Sequence, residues 1–269
     1  MQKDILHFSH ANGFPSLSYS VMLEALSEHY DVRWVDQMAH HPDFPVTDNW
    51  PHLVDELIHY FEASYDRPVI AVGHSLGGVL SFMVAKIRPD LIKQVILLDA
   101  PVLDRLGSAV VRLAKTLGLV DRITPAGRTE GRQEVWDSQN QAIDYFKGKS
   151  LFKYVDERCL KDYVKYGTKA CQQGVCLTFS ANTEVKIYRT LPHNLHKKFK
   201  ALTVPSAMIY GTNSNVVMPM QLRYMKNKVG MYIDRLNGSH LFPLEYPEQS
   251  AEKIHQTIEH LSKWKKKSS

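Results

Sequence analysis

The chain has 269 residues, 44% hydrophobic and 23% charged, a globular composition long enough for one large α/β domain or a core with an inserted one. Its net charge of +5 is mild and lies partly in the terminal run Lys263-Trp264-Lys265-Lys266-Lys267, which reads as a solvated end; no interleaved basic and aromatic pattern points to nucleic acid. Three cysteines, Cys159, Cys171 and Cys176, form an odd set without metal spacing, which argues against a disulfide framework and suits a reducing compartment.

Asp4–Phe8 reads as a short strand, entered almost at once, without the charged and then long apolar stretch of a signal peptide. No run approaches the roughly 18 apolar residues of a membrane helix. A cytoplasmic protein with no membrane span is the expectation. The strand ends in the polar loop Ser9-His10-Ala11-Asn12-Gly13-Phe14-Pro15. Helical spacing follows over Tyr19–His29, a strand over Val32–Val35, and a proline-bearing loop over Asp36–Pro51. Leu53, Leu57, Ile58 and Phe61 then share one side of a helix over Leu53–Phe61.

Next comes the stretch that carries chemistry, Pro68–Leu80. Val69–Val72 is a continuous β-rich run, Gly73-His74-Ser75-Leu76-Gly77 is a sharp turn, and apolar helical spacing continues to about Arg88, where Pro89 stops it. A G-x-S-x-G turn between strand and helix is a nucleophile elbow. The serine must take a strained backbone conformation to lift its oxygen off the sheet. Strand and helix then crowd together, so Gly73 and Gly77 must lack a Cβ. The N–H groups opening the helix point to where negative charge develops.

A fourth strand, Val95–Leu98, closes on Asp99-Ala100-Pro101. Strands alternate with helices up to here, the pattern of right-handed βαβ units on a parallel sheet, whose ligands bind at the carboxyl ends of the strands. From about Val102 to Lys200 the rhythm changes. No β-rich run is expected there, only helical stretches at Ala109–Leu117, Ser138–Phe146 and Asp156–Tyr166. Strands resume at Ser206–Tyr210 and Met231–Leu236, and a last helix over Pro247–Lys263 turns Ile254, Ile258 and Leu261 inward. The division is therefore a core of residues 1–101 and 201–269 with a helical insertion of residues 102–200.

A serine nucleophile needs a histidine within hydrogen-bond reach, and that histidine needs an acid to fix its tautomer. Of thirteen histidines, His240 is the candidate, because Asn237-Gly238-Ser239-His240 joins the last strand to the last helix at the sheet's carboxyl edge. His74 is expected to pack rather than react, and His10 to bond backbone in its loop. His40-His41 and His193 with His196 lack partner ligands at metal spacing, so no metal or cofactor is expected.

His10–Phe14, Gly73–Gly78, Asp99-Ala100-Pro101 and Gly238-Ser239-His240 together make the chain resemble the serine hydrolases of the α/β-hydrolase superfamily, carboxylesterase- and lipase-like, over nearly its whole length apart from the insertion. The resemblance implies the α/β-hydrolase fold, a mostly parallel sheet flanked by helices, with the insertion as a cap over the site. It implies an oxyanion hole from the backbone N–H groups of Asn12 and Leu76, with Ala11 standing where glycine is usual. The family's usual aspartate after the penultimate strand is missing: Tyr210-Gly211-Thr212-Asn213-Ser214-Asn215 holds no carboxylate. Some hydrolases of this fold carry the acid at the end of the strand after the elbow helix, which here is Asp99. The preferred triad is Ser75, Asp99 and His240, with Asn215, Asp104 or another carboxylate of the insertion as fallbacks and Asp234 too far down its strand.

The expected activity is ester hydrolysis through an acyl-enzyme, on a small-molecule ester with an apolar acyl part. Thioesterase, lactonase, C–C hydrolase and acyltransferase chemistry stay open, as does a ligand-binding protein on a hydrolase scaffold. Trp136, Tyr145, Phe146, Phe152, Tyr154, Tyr163 and Tyr166 are expected chiefly to pack the insertion, with an acyl pocket as the other reading.

Overall fold

The computed structural model describes residues 2–198 and 201–263; of the basic tail, Trp264 onward lies outside them. Strands β1 (Ile5–Ser9), β2 (Asp31–Trp34), β3 (Val69–His74) and β4 (Ile92–Leu98) form the first half of the main sheet. Helices α1 (Ser20–Ser27), α2 (Pro51–Ser64) and α3 (Leu76–Ile87) alternate with them. The segment that follows contains three short strands, β5 (Val135–Trp136), β6 (Thr168–Cys171) and β7 (Gly174–Leu177), outside this sheet. The main sheet then resumes with β8 (Ser206–Gly211) and β9 (Tyr232–Leu236). Its order is β2-β1-β3-β4-β8-β9, and every neighbouring pair is parallel.

Alternation along the strands builds two cores, one on each face. Val69, Ala71, Val95, Leu97 and Met208 pack with α2 and α3, where Leu57, Phe61, Leu80 and Val84 are buried. Ile70, Val72, Ile96, Leu98 and Ile209 face the other way, onto Met22 and Leu26 of α1 and onto the last helix through Ile254, Ile258 and Leu261. Strands buried on both faces read as unbroken apolar runs, which is why β3 and β4 were plain in the sequence. Each such large side chain contributes roughly 1.5–3 kcal/mol on burial. α2 starts with proline at its first turn, where no N–H is needed.

Between β4 and β8 the chain forms α4 (Arg105–Thr116), two short helical turns, α5 (Gln139–Lys147), α6 (Glu157–Gly167) and α7 (Ala181–Arg189). Asp104, Ser138 and Asp156 cap the first residues of α4, α5 and α6, each accepting from a backbone N–H. The expectation that this segment lacks strands is wrong. β5 (Val135–Trp136), β6 (Thr168–Cys171) and β7 (Gly174–Leu177) make a small antiparallel sheet in the order β5-β7-β6. Its strands have two to four residues, too short to show a period, and the β6–β7 turn relies on Gly174 at φ 115°. The hairpin also brings Cys171 and Cys176 to a Cα separation of 6.0 Å, where they are disulfide-bonded. The odd cysteine count thus hid one local bridge, with Cys159 buried as the free thiol. No helix among the described residues is long and apolar enough to cross a membrane.

Candidate active site

Ser75 follows β3 directly and stands at the N-terminus of α3 with φ 51° and ψ −112°. A non-glycine residue there is strained and must be held by its surroundings. The grip is visible: the Ser75 N–H donates to Leu98 O at 3.0 Å, and the Gly77 N–H to His10 O at 3.1 Å. A Cβ on Gly73 would lie within 3.0 Å of the Gly77 backbone, and one on Gly77 within 3.0 Å of the Ser9 and His10 carbonyls. The two glycines let strand, loop and helix meet.

Asp99 lies just past β4, its own N–H donating to Ile209 O at 2.8 Å, and its side chain is fully buried. It also has a positive φ, 43°. His240 Nδ1 sits 2.7 Å from Asp99 Oδ2, with the histidine side chain 22% exposed. Because an ionised carboxylate only accepts, Nδ1–H donates and Nε2 is left free to take a proton. The carboxylate has two further partners. The Gly211 N–H donates to Oδ1 at 3.0 Å, and the Ser214 hydroxyl donates to Oδ2.

Sequence reasoning missed these two partners. They come from the stretch after β8 where the resemblance leads one to look for an acid, and the missing carboxylate there was the available signal. Asp104 is occupied as the cap of α4 and Asp234 bonds Lys253, while the carboxylate bonded to His240 is that of Asp99.

A cavity of about 1000 Å³ opens over the carboxyl edge of the sheet. Asn12, Ser75, Leu76 and His240 all line it, while Asp99 stands behind His240. The loop bearing Asn12 is pinned by His10, whose Nε2 accepts from the Met38 N–H at 2.8 Å and whose Nδ1 donates to Ala11 O at 2.8 Å. Burial lowers its pKa to about 4, so this neutral tautomer is the stable one. Gly13 turns at φ 77°, and Asn12 Nδ2 donates to Glu184 O at 3.1 Å.

His74 is fully buried. Its Nε2–H donates to His240 O at 2.9 Å, and its Nδ1 accepts from the Tyr19 hydroxyl at 2.7 Å. Desolvation holds its pKa well below 6.5, consistent with a neutral ring that steadies the His240 backbone.

The inserted segment walls the far side. Phe146, Phe152 and Tyr163 pack ring against ring at 4.9–5.2 Å and line the cavity as well, so packing and pocket are the same residues. Trp136 and Tyr166 do not line it. Beside Asn12, Glu184 Oε2 lies 2.6 Å from Arg132 Nη2 as an ion pair without an aligned hydrogen bond. Burial raises the Glu184 pKa, against the pull of Arg132. Nothing in the sequence links positions 132 and 184. Among the described residues, no three His, Cys, Asp or Glu side chains converge as a metal site.

The arrangement can activate an alcohol, relay its proton through an oriented imidazole and admit an apolar group. The alpha/beta hydrolase family matches residues 8–253. The type I acyl-CoA thioesterase of Penicillium brevicompactum is 28% identical over 112 residues, 41% of this chain but 23% of that protein, so the match spans under a quarter of that relative. E-2-(acetamidomethylene)succinate hydrolase superposes with a TM-score of 0.75 at 19% identity, covering 96% of this chain and 92% of the other. The thioesterase domain from the curacin biosynthetic pathway superposes with a TM-score of 0.71 at 20% identity, covering 94% and 91%. At such identities the superpositions speak for the fold alone.

Proposed function

Because the chain belongs to the alpha/beta hydrolase family, we propose that it is a serine hydrolase that cleaves a carboxylic ester or a related acyl bond. The carrying observation is the 2.7 Å contact of the Asp99 carboxylate with His240, on the cavity that Ser75 also lines. His240 Nε2 takes the Ser75 proton as the oxygen attacks the carbonyl. The oxyanion is held by the N–H groups of Asn12 and Leu76. His240 then returns the proton to the leaving alcohol as the acyl-enzyme forms. Water, deprotonated by the same histidine, attacks the acyl carbon and frees acid and serine. Asp99 stays ionised and stabilises the imidazolium. Residues 102–200 act as the cap, and the acyl part lies along Phe146, Phe152 and Tyr163.

A thioester is the second reading. It is favoured by Arg122, Arg128 and Lys149, exposed basic residues on the cavity lining that suit an anionic leaving group, and by the local likeness to an acyl-CoA thioesterase. The test is labelling with a fluorophosphonate probe, read by intact mass. One adduct on the wild type and none on Ser75→Ala is expected. No labelling would sink the hydrolase and favour a ligand-binding protein on the same scaffold. Rates on an acyl-CoA against the matching p-nitrophenyl ester then separate the two readings.

A further inference from the structure

Helix α4 hides its small side and shows its large one. Ser108, Val111 and Ala114 are buried against the protein. Leu106, Val110, Leu113 and Leu117 are 57%, 50%, 59% and 59% exposed. Their spacing of four, three and four residues sets them in one stripe along the helix. Single exposed leucines are ordinary, but a continuous apolar stripe marks a surface that meets something.

The charges on the helix itself have one sign, and its N-cap Asp104 is occupied by the Gly107 N–H. Arg105 and Arg112, two turns apart, edge the stripe and are exposed, and α4 contains no acidic residue. Neither arginine forms a salt bridge with a described residue, whereas Lys115, on the inner side, is bound by Asp48. Farther along, Ile123, Leu151 and Tyr154 are 49%, 53% and 64% exposed and also line the cavity with Ser75. Exposed apolar side chains thus also stand at the lining of the site.

We infer that this face docks on an anionic lipid surface. The stripe enters the boundary below the headgroups, and Arg105 and Arg112 reach the lipid phosphates, the arrangement of an interfacial helix with a basic edge. A second copy is the poorer occupant. A two-fold contact through this stripe would set arginines near arginines with no acid on the helix to pair them. Docking goes beyond the hydrolase reading and does not depend on which bond is cleaved.

The test is flotation of the full chain with phosphatidylcholine vesicles, with and without phosphatidylglycerol. Wild type is expected to float with the anionic vesicles, less so at high salt. The double variant Leu113→Asp with Leu117→Asp is expected to lose about tenfold or more of the bound fraction. Both positions are exposed and off the cavity lining, so turnover of a short water-soluble ester stays at the wild-type rate and reports an intact fold. Ser75→Ala should float like wild type while losing turnover, which separates failure of docking from failure of the catalytic reading. Equal flotation of the double variant, indifference to phosphatidylglycerol, or no flotation of wild type overturns the inference. So does a concentration-dependent dimer that the double variant disperses, which assigns the stripe to a second copy.

Discussion

Asp99 is a fully buried carboxylate with three hydrogen-bond partners. A buried carboxylate is costly unless it is hydrogen-bonded, and Asp99 has the Gly211 N–H, the Ser214 hydroxyl and His240. Ser214 shares Oδ2 with the histidine, so it sets how that oxygen is aimed. Removing a hydrogen bond to a charged group costs roughly 1.5–3 kcal/mol. Ser214→Ala should therefore lower kcat/KM on a p-nitrophenyl ester about tenfold, and labelling of Ser75 should persist at a slower rate. An unchanged kcat/KM would mean that Gly211 and the fold alone orient the carboxylate. Ser75 and His240 were legible as candidates, because the elbow spacing and the loop after the last strand are local signals, whereas Asp99 was reached only through the family resemblance. Ser214 and the Arg132–Glu184 pair were not. Their partners lie 115 and 52 residues away, and only the folded chain brings them together.

The β3–α3 unit shows how the backbone positions these groups. The sharp turn works only while loop 9–13 can press against the helix, with the Gly77 N–H reaching His10 O. Gly77→Ala puts a methyl group against the Ser9 carbonyl, a backbone atom that cannot swing aside. The outcome expected is a loss of about 3 kcal/mol or more, in line with overpacking against a rigid wall, seen as a lower urea midpoint or no folded protein. A variant as stable as wild type would show that the loop can retreat. The main-sheet elements could be read to within a few residues, since long apolar runs and helical periods survive in sequence. β5 to β7 could not: two to four residues carry no period, and β5 pairs with β7 across about 40 residues of chain. The same blindness hid the Cys171–Cys176 bond, which depends on the β6–β7 hairpin.

Across the whole molecule, buried histidines set how the fold responds to acid. Burial depresses His7 to about 3 and His10 to about 4, and holds His74 well below 6.5. Above 6.5 these rings are neutral in both folded and unfolded chains, so they leave stability level. Below it the unfolded chain binds protons that the folded one refuses, and stability falls as pH drops toward the folded pKa values. Each such histidine contributes a slope of about 1.4 kcal/mol per pH unit. Urea midpoints should therefore decline steadily from about pH 6.5 to about pH 5, and a flat profile would mean that these rings are hydrated in the fold.

The catalytic proposal stands or falls on Asp99, because the stretch after β8, Thr212-Asn213-Ser214-Asn215, holds no carboxylate. The most direct measurement is kcat/KM of Asp99→Asn on a short p-nitrophenyl ester. Asparagine keeps the size of the side chain but cannot stabilise the imidazolium, and the predicted loss is about 10⁴-fold. Turnover near the wild-type rate would contradict the triad and move the acid's role to another residue.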